Sequence, residues 1–215
     1  MRVVWSLPTV RARFTMEYQI WGTGDILAYS RFEPRDTTLP DLPRLGVRLT
    51  LPRKFDQVTW LGRGPQETYP DRKTGAPVGR YRASALDLYT PYIRPQENGS
   101  RADVRWIAVA DGAGTGLLVE GTMLGASALP FLQEDFDEGP AKRQRHTFHV
   151  QPRDLVELRL DHGQMGVGGD DSWGARPHER YRLAVRPYAY SFRLRPFAPA
   201  DGDPAGLTRR SPPRL

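Results

Sequence analysis

From Val10 to Ile20, eleven residues in a row alternate between apolar and polar. A side-chain period of two belongs to a half-buried strand and excludes an amphipathic helix. Val47 to Leu51, Val156 to Leu160 and Tyr188 to Leu194 repeat the pattern over shorter stretches. Strands with a polar outer face belong to antiparallel sheets, because parallel strands covered on both sides read as unbroken apolar runs. Turn formers separate the runs: the 215 residues include 21 glycines and 20 prolines, well above the roughly 12% of an average protein. Gly22-Thr23-Gly24-Asp25, Asn98-Gly99, Asp111-Gly112 and Asp161-His162-Gly163 all read as turns. No helix longer than two turns is expected, although Ala126 to Phe136 could hold a short one. Arg31 to Pro43 reads as a crossing loop, and Thr147 to Val150 reads as strand. Neither an internal repeat nor a linker divides the chain. The expectation is one all-β domain over residues 1–197, with too many strands for a small barrel and therefore two packed sheets. The tail 198–215 has almost no apolar residues and is expected to be disordered.

Composition removes several chemistries. With no cysteine there is no disulfide scaffold, thiolate metal site or cysteine nucleophile. No apolar run approaches the roughly 20 residues of a membrane span, and the start Met1 to Ser6 is too brief for a signal peptide's apolar core. The expectation is a cytoplasmic chain without a membrane partner. The net charge of +6 comes almost entirely from arginines scattered along the sequence. Small clusters such as Arg143-Gln144-Arg145-His146 lack the interleaved aromatics of a base-stacking surface, so no nucleic-acid partner is expected.

Gln164 to Gly174 is the most unusual segment. Its glycines permit backbone geometries closed to other residues, but neither a lysine nor a helix follows to make a phosphate cradle. Asp170 and Asp171 are neighbours that point to opposite sides of an extended chain, so they cannot flank one glycosidic bond. Asp and Ser in such a loop more often bond their own backbone. Trp173 is left either as a buried structural residue or as a flat platform for a sugar ring. Trp60 to Arg72 and Tyr89 to Gly99 are dense loops of turn formers, aromatics and charge. His146 and His149 fall on opposite faces of the expected strand, so no metal site is expected. His162 reads as a turn residue, and His178 follows Pro177 after the tryptophan loop. No serine sits in a nucleophile elbow.

Together these segments resemble the C-terminal domain of family 2 β-galactosidases, also called the β-galactosidase small chain. The resemblance is carried by Trp60 to Gly64, Pro65-Gln66-Glu67 and Tyr69 to Arg72. It continues through Tyr89 to Tyr92, Arg94 to Gly99 and Asp103 to Trp106. It ends with Gln164 to Trp173, Arg176-Pro177-His178 and Tyr190 to Leu194, so it spans most of the chain in the family's order. It implies a large antiparallel β-supersandwich related to the galactose mutarotase fold. It also implies that Trp173 reaches the sugar in the active site of a separate barrel domain. Asp171, Ser172, His178 and Asn98 join Trp173 as expected carbohydrate contacts. Gly22, Thr23, Gly24 and Asp25 resemble a loop that moves near the same site. Asp71, Arg72, Glu97 and Asn98 gain no catalytic role and read as scaffolding of the loop surface.

The family's catalytic glutamates lie in a (β/α)8 barrel, and no alternating strand–helix pattern here could form one. The chain alone is therefore expected to be inactive. Galactose or a β-galactoside and a catalytic barrel domain or subunit are its expected partners. No cofactor is expected in this chain, since Mg or Na would belong to the missing catalytic domain. A free-standing carbohydrate-binding module is the alternative, and an aldose mutarotase or epimerase-like enzyme a more distant one.

Overall fold

The computed structural model describes residues 1–137, 145–171 and 173–211. Ten strands run in the order β1 Arg2–Leu7, β2 Ala12–Ile20, β3 Ile26–Pro34, β4 Arg44–Pro52, β5 Gln57–Arg63, β6 Val78–Ser84, β7 Arg101–Ala110, β8 Gly116–Leu129, β9 Leu155–Gln164 and β10 Tyr188–Phe197. Among the described residues there are two four-residue α-helices, α1 Gln133–Phe136 and α2 Pro204–Leu207, and several single 3-10 turns. Every pairing between these strands is antiparallel. The alternating run from Val10 becomes β2 only after Pro8–Val10 closes a tight turn and Arg11 takes a left-handed φ of 43°.

The two expected layers are joined through one long strand. On one edge of β8, Gly116–Gly121 pairs with β10 and Gly125–Leu129 with β9. Met123, at φ 54°, lies between the two stretches. One branch continues as β10-β3-β2-β1, the other as β9-β4, while β7, β5 and β6 extend the opposite edge. Met16, Ala28 and Phe192 of the first branch share a buried cluster with Leu158 and Leu160 of β9 and with Trp60, Val104 and Ile107. The hydrogen bonding is thus a single forked sheet whose branches close on one core.

Several local expectations give way to tertiary contacts. Asp161-His162-Gly163 is strand, because Asp161 is paired on both sides, to Gly46 of β4 and Gly125 of β8. Thr147–His149 is one 3-10 turn rather than strand, with the Val150 N–H donating to the Thr147 carbonyl. Strand β3 runs on to Pro34, so the crossing loop begins at Arg35. In Ala126 to Phe136 the strand persists to Leu129 and the helix takes only the last turn.

Residues 198–211 pack back onto the sheet. Leu207 is buried in a second cluster with Trp106, Ala108, Leu118 and Phe197, and burying one leucine side chain stabilises by roughly 1.5–3 kcal/mol. Arg195 Nη1 donates to the Leu207 carbonyl at 2.9 Å, and Arg193 Nη1 to the Arg210 carbonyl at 2.8 Å. Arg80 forks onto Asp203 at 2.6 and 2.7 Å. Composition hides this because a single apolar residue and main-chain acceptors make the attachment.

Candidate functional site: the tryptophan loop and the cleft at its base

Strand β9 ends at Gln164 and the chain enters the glycine-rich segment. The Gly166 N–H donates to the Tyr181 carbonyl at 2.8 Å, and the Met165 N–H to the Pro43 carbonyl at 2.9 Å. The Asp71 carboxylate then docks against the turn. Its Oδ1 accepts from the Val167 N–H at 3.2 Å and its Oδ2 from the Gly168 N–H at 2.8 Å. A Cβ on Gly166 would sit 2.6 Å from Asp71 Oδ2, so only glycine lets the carboxylate approach. Further along, Asp171 Oδ1 accepts from the Trp173 N–H at 2.7 Å and the Ala175 N–H at 3.3 Å. This is the self-bonded turn that its residue type predicts. His178 Nε2 lies 2.8 Å from Asp170 Oδ1 across the base of the loop.

The outcome for Trp173 is unambiguous: its residue is 93% exposed. An indole left in water forgoes the burial that stabilises cores, and large amphipathic rings on rigid loops are typical contact residues. Ser172 lies outside the described residues. The His178–Asp170 pair is exposed on both sides, so the two groups do not form an enclosed acid–base couple.

Asp71 acts through its backbone contacts and holds the Val167–Gly168 turn at the start of the loop. The amide of asparagine would turn one donor toward the Val167 and Gly168 N–H groups. Asp71→Asn should therefore strip the acceptor from one of the two amides, with hydrogen exchange at that position rising about tenfold, as expected for the loss of roughly 1–2 kcal/mol. Unchanged exchange would show that the glycine turn holds its shape alone.

The Asp71 turn is tied in its own right. Glu67 Oε1 accepts from Arg72 at 2.7 Å and from the Tyr92 hydroxyl, and Glu67 Oε2 accepts from the Gly99 N–H at 2.9 Å. The Tyr69 hydroxyl donates to the same Oε2, and burial with that carboxylate nearby raises its pKa. Asn98 does not join the tryptophan loop. It is buried, its Oδ1 accepts from the Thr90 N–H at 2.9 Å and its Nδ2 donates to the Thr90 carbonyl at 2.6 Å. Both ends of the amide clamp the Tyr89–Gly99 loop.

The Gly22–Asp25 hairpin lies elsewhere. Ile26 pairs with Leu194 and Phe32 with Tyr188, so the hairpin tip and the 165–187 segment leave opposite ends of β10, about 20 Å apart along the strand. The hairpin is also fastened. Buried Asp25 Oδ1 accepts from Arg193 and Arg195 at 2.9 Å each, and its Oδ2 accepts from the Thr23 hydroxyl at 2.7 Å. An arginine clamp thus holds the base of this hairpin.

The sequence gives no local sign of a polar cluster under the loop. Arg44 Nη2 donates to Glu97 and, at 3.0 Å, to Gln164 Oε1, while Arg44 Nε lies 3.3 Å from Asp161 Oδ2. Gln164 Nε2 donates to Glu97 Oε2 at 2.6 Å. Arg159 Nε donates to Glu157 Oε1 at 2.6 Å and its Nη1 to Gln133 Oε1 at 2.5 Å. Arg44, Arg48 and Arg159 thus face three carboxylates, Glu97, Glu157 and Asp161. The complete burial of Asp161, which Arg44 and Arg159 only partly offset, pushes its pKa up to about 7. A Cβ on Gly46 would lie 2.1 Å from Asp161 Oδ1, which explains the glycine at the β4 irregularity. Partners 53 and 120 residues apart in sequence leave no trace in spacing. Above this layer opens a cleft of about 650 Å³, bounded by Arg94–Glu97, Gln133 and Met165–Val167.

Among the described residues no group of three or more His, Asp or Glu could hold a metal, and no helix is long and apolar enough to cross a membrane.

The family model "Beta galactosidase small chain" matches residues 2–194. A β-galactosidase of Priestia megaterium is 38% identical over 181 residues, covering 83% of this chain and 17% of its own length. One of Vibrio cholerae is 41% identical over 157 residues, covering 73% and 14% respectively. Among solved structures, a galactose mutarotase related enzyme from Lactobacillus acidophilus overlays with a TM-score of 0.43 at 9% identity, over 87% of this chain and 62% of that one. The chain spans under a fifth of the β-galactosidases it matches. With the tryptophan loop and its Asp71 anchor inside a match that runs from the first strand into the last, this chain belongs to the β-galactosidase small-chain family.

Proposed function

We propose that this chain completes the sugar site of a β-galactoside-hydrolysing enzyme, binding galactose or a β-galactoside through Trp173 without cleaving the bond itself. The observation that carries this reading is a fully presented indole on a loop fixed by Asp71 and Asp171. A ring held in place before the ligand arrives pays little ordering entropy on binding. Stacked on the apolar face of a pyranose, it also excludes water from one side of the glycosidic bond.

Cleavage needs two carboxylates flanking that bond, about 5 Å apart in a retaining glycosidase. Of the candidates here, Asp170 is tied to His178, Asp171 to its own backbone and Glu97 to Arg44. The acid and nucleophile would come from the remainder of the family's length, as a barrel domain or a partner subunit. Ile93 and Phe148, 89% and 69% exposed, support such a partner. They flank the Tyr92 carbonyl, which accepts from the Thr147 hydroxyl at 2.8 Å.

The test uses the chain alone. It should release no chromophore from a nitrophenyl β-galactoside, and calorimetry should detect weak galactose binding that falls about tenfold in Trp173→Ala, as the loss of one stacked ring predicts. Turnover by the isolated chain, or unchanged affinity in the variant, overturns the reading.

A further inference from the structure

The cleft at the base of the tryptophan loop has polar groups of a particular pattern. Glu97 Oε2 is used by Arg44 and Gln164, but its Oε1 is buried and accepts no hydrogen bond, with Arg159 Nη1 standing off at 3.9 Å. The Gln133 amide is oriented by two arginines: its Oε1 accepts from Arg159 at 2.5 Å and from Arg44 at 3.4 Å. Its NH2 group must then face away from them, and it makes no hydrogen bond among the described residues. Gln164 Nε2 spends one of its two N–H groups on Glu97 and has the other free. Glu97, Gln133 and Gln164 therefore all line the same cleft, Glu97 with one buried unpaired acceptor behind its surface and the glutamines with two amide donors.

The pattern selects a ligand class. Arg44, Arg94 and Arg145 share the cleft wall with Glu97 and Asp137, so neither an anion nor a cation meets charge of one sign. An anion could not donate to Glu97 Oε1, and a cation would find no use for the amide donors. A hydroxyl both donates and accepts, so neighbouring hydroxyls on one ring can satisfy Glu97 Oε1 and the two amides together. A buried unmade hydrogen bond is costly, which gives such a ligand its driving force. Phe136, Pro95 and Val167 supply apolar wall for the ring's C–H groups, and about 650 Å³ is ample for a pyranose.

We propose that this cleft is a second carbohydrate subsite, in which Glu97, Gln133 and Gln164 hold the hydroxyls of one pyranose unit of a galactoside. Val167 belongs both to the cleft wall and to the turn held by Asp71, so one loop serves this subsite and Trp173. The proposal rests on the sugar-site reading above and extends it from one contact to two.

Galactobiose is the probe, and the side-chain amide resonances of Gln133 and Gln164 and the indole resonance of Trp173 are the readouts. All three should shift with one dissociation constant. Gln133→Glu keeps the oxygen that binds Arg44 and Arg159 but removes both donors. It should weaken galactobiose about five- to tenfold, as for one or two lost hydrogen bonds, while the variant's unfolding midpoint stays within a few degrees. Movement of the indole with silent amides overturns the subsite and leaves the Trp173 reading standing. Movement of the amides with a silent indole supports the subsite and overturns the Trp173 reading. Equal amide shifts with inorganic phosphate would overturn the hydroxyl assignment. Amides that respond to neither probe mean that the cleft holds water only, and the proposal falls.

Discussion

Arg159→Met should destabilise the fold by about 3–5 kcal/mol, the usual result of removing one partner from a buried ion pair. Arg159 and Glu157 have side chains 3% and 0% exposed and meet at 2.6 Å. Methionine fills the arginine's volume but leaves the Glu157 carboxylate without its main partner. Arg48 Nη1 remains 3.2 Å from Glu157 Oε2, which places the loss toward the lower end of that range. The cost belongs to the stranded charge more than to the lost attraction, and the double variant Arg159→Met with Glu157→Leu separates the two. It should recover most of the stability, because a dry apolar pair needs no compensation. Urea unfolding of the three proteins checks this. A double variant no more stable than Arg159→Met would show that the pair contributes through its Gln133 and Arg48 contacts instead.

The second large effect is a pH dependence removed by Asp161→Asn. Asp161 is raised in the folded chain to about 7 by burial beside Glu97 and Glu157, against the partial offset of Arg44 and Arg159. In the unfolded chain it returns to about 4. Between these values the folded state holds a proton that the unfolded state has released, so stability falls as pH rises. Full exchange would amount to about 4 kcal/mol at most, from a shift of about three units. The neutral asparagine variant should lose this slope and be the more stable protein above neutrality. Glu120, also raised by burial, slopes in the same direction, so the difference between wild type and variant is the quantity to read. Against the opposing effect of burial, Asp25 is lowered by the Thr23 hydroxyl and by Arg195 and Arg193, Asp103 by Arg63 and Lys73, and Asp135 by Arg153 and the Leu132 N–H. Their contributions vanish only on acidification, below the window that Asp161 governs. Urea midpoints at pH 5, 6, 7 and 8 suffice, and parallel profiles for the two proteins would refute the assignment.

Both effects arise in a layer that the sequence does not display. The alternation of Val10 to Ile20 announces β2 because side-chain direction along a strand depends only on the local backbone. The same holds for β4, β9 and β10, and for the Asp171 turn, whose carboxylate bonds amides two and four residues on. Asp161-His162-Gly163 has equally local turn chemistry, yet β4 and β8 pair with Asp161 and hold it extended. Asn98 lies in a legible loop motif, yet its bonds to Thr90, eight residues back, show only in the fold. Gly22 to Asp25 are legible as a turn, but their separation from Trp173 follows from the register of β3 on β10.

The sequence by itself determined an antiparallel all-β chain and picked out the glycine-rich segment carrying Trp173. Those features are written in side-chain period, in glycine and proline punctuation and in a motif read in order. Only the tertiary structure decided that β8 forks the sheet, that Leu207 anchors the tail and that Trp173 faces solvent. The same is true of the cleft, where Arg44, Glu97, Gln133 and Gln164 converge from four distant points in the chain. The physical reason is range: periodicity and turn chemistry act within a few residues, whereas burial and charge pairing depend on which strands meet.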